Sequence, residues 1–231
     1  KNSKEQALIL QYWQEIENKL GLDQIDKFLD IYLESTLDHP IESDIKTFIG
    51  LDKLLDSTYK KNSLAFVKAL KQTLDNYLML KTNTFESSII KRILESFYKL
   101  KTNTWVPPLL AYIDRTMQNA TWNIANFEKL LIYFEKVYMQ RWILKHCHQN
   151  KDSFCQNLTY VINKNYAMSQ IIIKIKSYSN NSTFAEALDA PIYHTLGNQV
   201  NLIKAMLIRL ESAYEDSSVI KSYTGKITIE H

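Results

Sequence analysis

The sequence predicts an all-α protein, a multi-helix bundle with a single strand-like segment at its C-terminus. Three observations carry that expectation. Apolar residues recur at three- and four-residue spacing along most of the chain, the period of an amphipathic helix. Only 4 Gly and 4 Pro punctuate 231 residues, too little turn chemistry for a sandwich or a barrel. Leu, Ile, Lys, Glu, Asn and Tyr dominate, and 45% apolar with 12% aromatic content is ample for a buried core, which excludes disorder.

The elements follow in order. Ser3 with Gln6 resembles a capping box, and Leu8, Tyr12, Trp13, Ile16 and Leu20 continue at helical spacing until Gly21 supplies a C-terminal stop. A second run, Ile25, Phe28, Leu29, Tyr32 and Leu33, ends before Pro40, which cannot continue a helix. Further helices are expected at about 43–58, 63–80, 85–100, 108–117, 125–148 and 153–176. The segment Leu80-Lys81-Thr82-Asn83-Thr84 recurs as Leu100-Lys101-Thr102-Asn103-Thr104, each copy followed by an aromatic residue. Thr and Asn compete with the helical backbone for hydrogen bonds, so both copies read as helix ends. The polar stretch 177–183 reads as a linker, dividing the chain into a helical bundle, 1–176, and a second region, 184–231. That region is expected to hold a short helix at 184–188, a strong one at 200–214, and a half-buried strand at 226–229.

Charge and cysteine usage exclude more than they assign. A formal charge of +3 does not by itself specify a nucleic-acid surface. Cys147 and Cys155 would lie about 12 Å apart on a continuous helix, so they read as free thiols of a cytoplasmic protein. No leader and no long uncharged apolar stretch is present, and the expectation is a protein without a membrane partner. The chain begins at Lys1 and reads as a piece of something longer. Glycines at 21, 50, 197 and 225 cannot form a phosphate-cradling loop. His146, Cys147, His148 and Cys155 are zinc-ligand types, but on a helix His146 and His148 point about 200° apart, which argues against a zinc site.

Arg141 and His146 stand in an Arg-x4-His spacing that resembles the motif of the HEPN ribonucleases, all-helical dimers whose Arg and His line a shared cleft. On an ideal helix the two side chains are offset by about 140°, and a structural arginine beside a surface histidine is the competing reading.

A second resemblance spans nearly the whole chain. The tail Ile227-Thr228-Ile229-Glu230-His231 is similar to the opening of the Glu-His-Ile-x-Pro motif that begins the HNH nuclease module of GmrSD-type, modification-dependent (type IV) restriction endonucleases. Upstream, Phe184 to Leu188, Ile192-Tyr193 and Leu207-Ile208-Arg209-Leu210-Glu211 resemble the segments that precede this module. Trp13-x2-Ile16-Glu17-x2-Leu20-Gly21, Phe28-Leu29-x2-Tyr32-Leu33, Trp105-x-Pro107-x-Leu109 and Phe134-Glu135-x5-Arg141 resemble the helical region between the family's two catalytic domains. The resemblance implies a parent with a ParB-like, NTP-using N-terminal domain and a C-terminal HNH nuclease that cuts foreign modified DNA in phage defence. It implies His231 as the general base on the attacking water and Glu230 as a ligand of a divalent ion such as Mg, both in the full-length protein alone. This chain holds neither the Asp-Gly-Gln-Gln-Arg motif of that N-terminal domain nor the rest of the nuclease, so it is expected to be an inactive helical connector without a complete active site or cofactor of its own. Its expected partners are the neighbouring domains and, through the full-length protein, DNA, with Lys174 and Lys176 as candidate backbone contacts. A HEPN-like, metal-independent ribonuclease and a non-catalytic helical scaffold are the alternatives.

Overall fold

The computed structural model describes residues 3–36, 47–144, 153–189 and 200–214, and among them it contains eleven α-helices, one 3-10 turn and no strand. The all-α bundle required by the periodicity is therefore present. The helices are α1 (Ser3–Leu20), α2 (Ile25–Thr36), α3 (Thr47–Ser57), α4 (Ser63–Thr82), α5 (Ser88–Lys99) and α6 (Val106–Gln118). They continue as α7 (Ile124–Ile143), α8 (Ser153–Asn163), α9 (Met168–Lys176), α10 (Asn181–Asp189) and α11 (Val200–Tyr214). The expected strand at 226–229, Glu230, His231 and the cluster His146, Cys147, His148 lie outside the described residues.

Helix ends follow local chemistry. Gly21 ends α1 at φ 78°, a left-handed conformation open to a residue without Cβ, while its N–H still donates to the Glu17 carbonyl at 2.9 Å. The two repeat copies do close helices, but by different residues: Asn83 takes the left-handed position after α4, and Lys101 takes it after α5. Asn83 Nδ2 then donates to the Lys91 carbonyl at 2.9 Å, within the same unit as α5. Pro107 and Pro108 sit in the first turn of α6, where the missing N–H has no helical partner to lose.

One expected helix is two. The run 153–176 breaks after Asn163, where Asn165 adopts φ 61° and donates its N–H to the Ile162 carbonyl at 3.1 Å. Asparagine tolerates this conformation because its side chain bonds locally, and the apolar period resumes out of phase at α9.

The helices gather into two compact units that do not follow chain order. The first takes the described residues of Lys1–Thr82, Val106–Trp122 and Cys155–Tyr166; the second takes those of Asn83–Trp105, Asn123–Phe154 and Ala167–His231. The stretch 1–176, expected as one bundle, thus contributes to both. Residues 177–183, expected as a linker, belong to the second unit, where Asn181 opens α10 and the side chains of Ser179 and Asn181 bond Gln140 of α7 at 2.9 and 3.0 Å. Polar residues here serve as helix ends and cross-links.

In the first unit α1 packs on α4, α2 on α6, α4 on α6, and α3 on α2. Its core contains Ile16, Phe28, Tyr32, Leu70, Leu74 and Leu109, with the Phe28 and Tyr77 rings 5.3 Å apart. In the second unit α11 packs on α5, α5 on α7, and α7 on α9 and α10. An aromatic core fills it: Phe134 stacks on Tyr138 at 5.2 Å and on Phe154 at 5.4 Å, while Phe97 meets Phe134 edge-on at 5.8 Å. Such pairs add about 0.5–1.5 kcal/mol each beyond burial alone.

Candidate functional site

A polar cleft of about 600 Å³ opens in the first unit, walled by residues of α2, α3, α4, α6 and α8. The volume falls in the range of small-molecule sites, roughly 300–1,000 Å³, but the walls are unusually rich in hydroxyl and amide groups. Tyr32, Ser35 and Thr36 come from the end of α2, Thr73 from α4, Asp114 and Arg115 from α6, and Asn163 from α8.

Asp114 is the chemical centre of this cleft. It is only 7% exposed, and its two oxygens accept from Thr73 Oγ1 at 2.7 Å and from Asn76 Nδ2 at 2.5 Å. Thr73 and Asn76 lie three residues apart on one face of α4, so both donors reach one carboxylate on α6. Burial pushes the Asp114 carboxyl up to about 6, because the charged form loses water; the bonds from Asn76 and Thr73 pull the other way without overcoming this.

Two tyrosines and an arginine complete the electrostatics. Tyr32 and Tyr59 share a hydroxyl–hydroxyl bond of 3.0 Å, and Tyr32 is held well above the ordinary phenol range by burial first, then by Tyr59 and the Asp114 charge. Arg115 donates Nη1 to the Ile162 carbonyl at 2.6 Å and Nη2 to the Tyr166 carbonyl at 3.2 Å, satisfying acceptors at and beyond the C-terminus of α8. A cation suits that end of a helix. Burial lowers the guanidinium from its ordinary value, opposed by Tyr112, and its Nε is buried with no hydrogen-bond partner. Asn163 Nδ2 donates to the Ser35 carbonyl at 2.9 Å and holds the end of α8 to the end of α2.

Of the candidate site residues named from the sequence, the described ones, Arg141, Lys174 and Lys176, lie elsewhere. Arg141, on α7 in the second unit, sets its guanidinium 5.7 Å from the Phe154 ring and 5.6 Å from the Tyr178 ring, a cation–π arrangement. Lys174, on α9, stands 5.3 Å over the other partner of that ring group, Tyr178, and Lys176 stands 4.8 Å over Tyr133. The structure thus brings Arg141 and Lys174 to one tyrosine. His146, the proposed companion of Arg141, lies outside the described residues, as do Glu230 and His231. Among the described residues no three His, Cys, Asp or Glu side chains converge as a metal-holding group, and no helix is long and apolar enough to cross a membrane.

Sequence reasoning passed over Asp114, although a signal existed. It falls four residues after Leu110, in register with the apolar stripe of a helix, where a charge must find partners or a ligand. Thr73 and Asn76 interrupt the stripe Leu70, Leu74, Tyr77 in the same way.

No family model matches the chain, and no curated protein or solved structure matches it.

Proposed function

We propose that this chain is the helical connector of a GmrSD-like, modification-dependent restriction endonuclease, a cytoplasmic phage-defence protein that cleaves foreign DNA with NTP and a divalent metal. The connector itself performs no chemistry; it spaces and couples the two catalytic domains. The observation that carries this reading is where the resembling residues fall. Ile16, Phe28, Leu29, Tyr32, Leu33, Trp105, Leu109 and Phe134 are buried framework residues of their units. Two separate resembling segments, Phe134-Glu135 on α7 and Leu207 to Glu211 on α11, meet through a two-pronged Arg209–Glu135 ion pair, in which Arg209 Nη2 donates to Glu135 Oε2 at 3.1 Å and Arg209 Nε donates to Oε1. Such residues build a scaffold, which is the role expected of a connector.

The decisive experiment extends the coding sequence in both directions and assays the full protein. An Asp-Gly-Gln-Gln-Arg domain before Lys1, an Ile-x-Pro continuation after His231, and restriction of modified DNA that is abolished by His231→Ala would sustain the reading. A coding sequence lacking both flanking motifs sinks it. Contact between the connector and the DNA backbone is tested separately. If Lys174 and Lys176 each meet a phosphate, the double change Lys174→Gln, Lys176→Gln lowers the salt slope of duplex binding by about 2. An unchanged slope removes both lysines from the interface.

A further inference from the structure

The geometry points to the cleft of the first unit as a binding site for a small dipolar molecule of the amino-acid type, with an ammonium seated on Asp114 and a carboxylate or carbonyl oxygen on Arg115. This inference does not depend on the connector reading.

Asp114 is bonded by neutral donors, Thr73 and Asn76, and among the described residues no basic side chain pairs with it. An ionised carboxylate accepts about four hydrogen bonds, so positions remain for further N–H donors. Were the acid a cross-link between α4 and α6 and nothing more, an asparagine would join the same partners without burying a charge. A buried carboxylate lining a cleft wide enough for a ligand is complementary to a cationic N–H group, which supplies the missing charge and occupies the vacant acceptor sites.

Arg115 excludes simpler ligands. A plain cation would meet the guanidinium in the same cleft, and a plain anion would meet Asp114. Arg115 lines the same cleft with its two Nη groups already given to backbone carbonyls, so it acts on an oxygen at the other end of the ligand through its positive charge. A purely apolar molecule is also disfavoured, because the exposed lining residues Gln118 and Asn119 would lose water and gain no bonds. A dipolar molecule answers the acid, the base and the neutral polar walls together.

The test titrates the whole chain with three probes that differ in charge: L-glutamine, L-glutaminamide of the same size, and N-acetyl-L-glutamine, which is larger by an acetyl group. Amide chemical shifts of Thr73, Asp114, Arg115 and Asn163 report on the cleft. The expected order is glutamine tightest, glutaminamide a few-fold weaker, and N-acetylglutamine at least about ten-fold weaker than glutamine. Asp114→Asn keeps both cross-links by reversing the Thr73 hydroxyl; it should weaken glutamine and glutaminamide about ten-fold and leave N-acetylglutamine unchanged. Arg115→Gln should abolish the advantage of glutamine over glutaminamide. The proposal is overturned by an absence of saturable shifts at these four residues with glutamine at about ten times a millimolar Kd, by equal affinity for all three probes, or by an Asp114→Asn protein that binds as the parent does. If either variant fails to fold, the ranking of the three probes on the unaltered chain decides alone.

Discussion

In the first unit the buried Asp114 is held by neutral donors, Thr73 and Asn76, whereas in the second the half-buried Glu135 lies in a two-pronged ion pair with Arg209. Burial raises both carboxyls above the ordinary range. For Glu135 the attraction and hydrogen bonding of Arg209 oppose that rise, and Arg209 Nη1 also reaches Ser212 Oγ at 2.8 Å, so the charge is part of a closed network. For Asp114 no cation among the described residues shares the load, and it lines a cleft of about 600 Å³. One carboxylate is used up by structure and the other retains unused capacity. That contrast, together with an aromatic core in one unit and hydroxyl- and amide-lined walls in the other, separates a framework from a candidate site.

The largest expected effect tests the framework side. Phe134 is fully buried and touches Phe97, Tyr138 and Phe154, so Phe134→Ala should cost about 3–5 kcal/mol in chemical denaturation. A loss below about 1 kcal/mol would show that the aromatic stack does not carry the second unit.

Removing the counter-charge should make Glu135 resemble Asp114. Arg209→Met leaves a half-buried carboxylate without its cation, at a cost of about 1–2 kcal/mol at neutral pH, because neither partner is fully buried. The unpaired acid prefers its proton, so the loss should shrink as pH falls. The double change Arg209→Met, Glu135→Gln should recover most of it, and failure to recover would mean that packing of the arginine stem, not charge, is what matters.

Asp114 gives a smaller effect of opposite sign. Its folded-state value, about 6, lies above the ordinary 3.8, so the native protein holds the proton more tightly than the unfolded chain. Stability therefore falls as pH rises from about 4 to about 6, and is level above that window. The shift sets an upper bound of roughly 3 kcal/mol, and about 1–2 kcal/mol is expected with water in the cleft. Asp114→Asn should lack this penalty: its stability relative to the parent should increase across that window, as read from denaturation midpoints at either end. A parallel pH profile for the two proteins would indicate that Asp114 is not buried as an ionised group.

The smallest expected effect is local. Gly21→Ala puts a Cβ on a residue at φ 78° and 3.1 Å from Asp23 Oδ1, and should cost about 1 kcal/mol. No change on substitution would mean that the end of α1 relaxes freely.

Much of the fold was legible because its signals are local. Gly21, the proline pair at the start of α6, and Asn83 of the first repeat copy each act within one helical turn, and the structure uses them at helix ends, whereas the second copy closes its helix with Lys101. The break between α8 and α9 was not legible, since Lys164, Asn165 and Tyr166 contain neither glycine nor proline, and asparagine alone does not force a left-handed turn. The cleft was missed for a different reason. Asp114 was visible as a charge on an apolar stripe, but its donors lie 41 and 38 residues away on another helix.

The sequence by itself determined the all-α class, the position of most helices and the faces they bury, because a period of 3.6 residues is written into every turn. Only the tertiary structure decided that Thr73, Asn76 and Asp114 converge, that Glu135 is paired across 74 residues with Arg209, and that 106–122 and 155–166 return to the first unit. Periodicity states which face of a helix must be covered; which partner covers it depends on the fit of side chains brought together by the whole chain, and that information is not local.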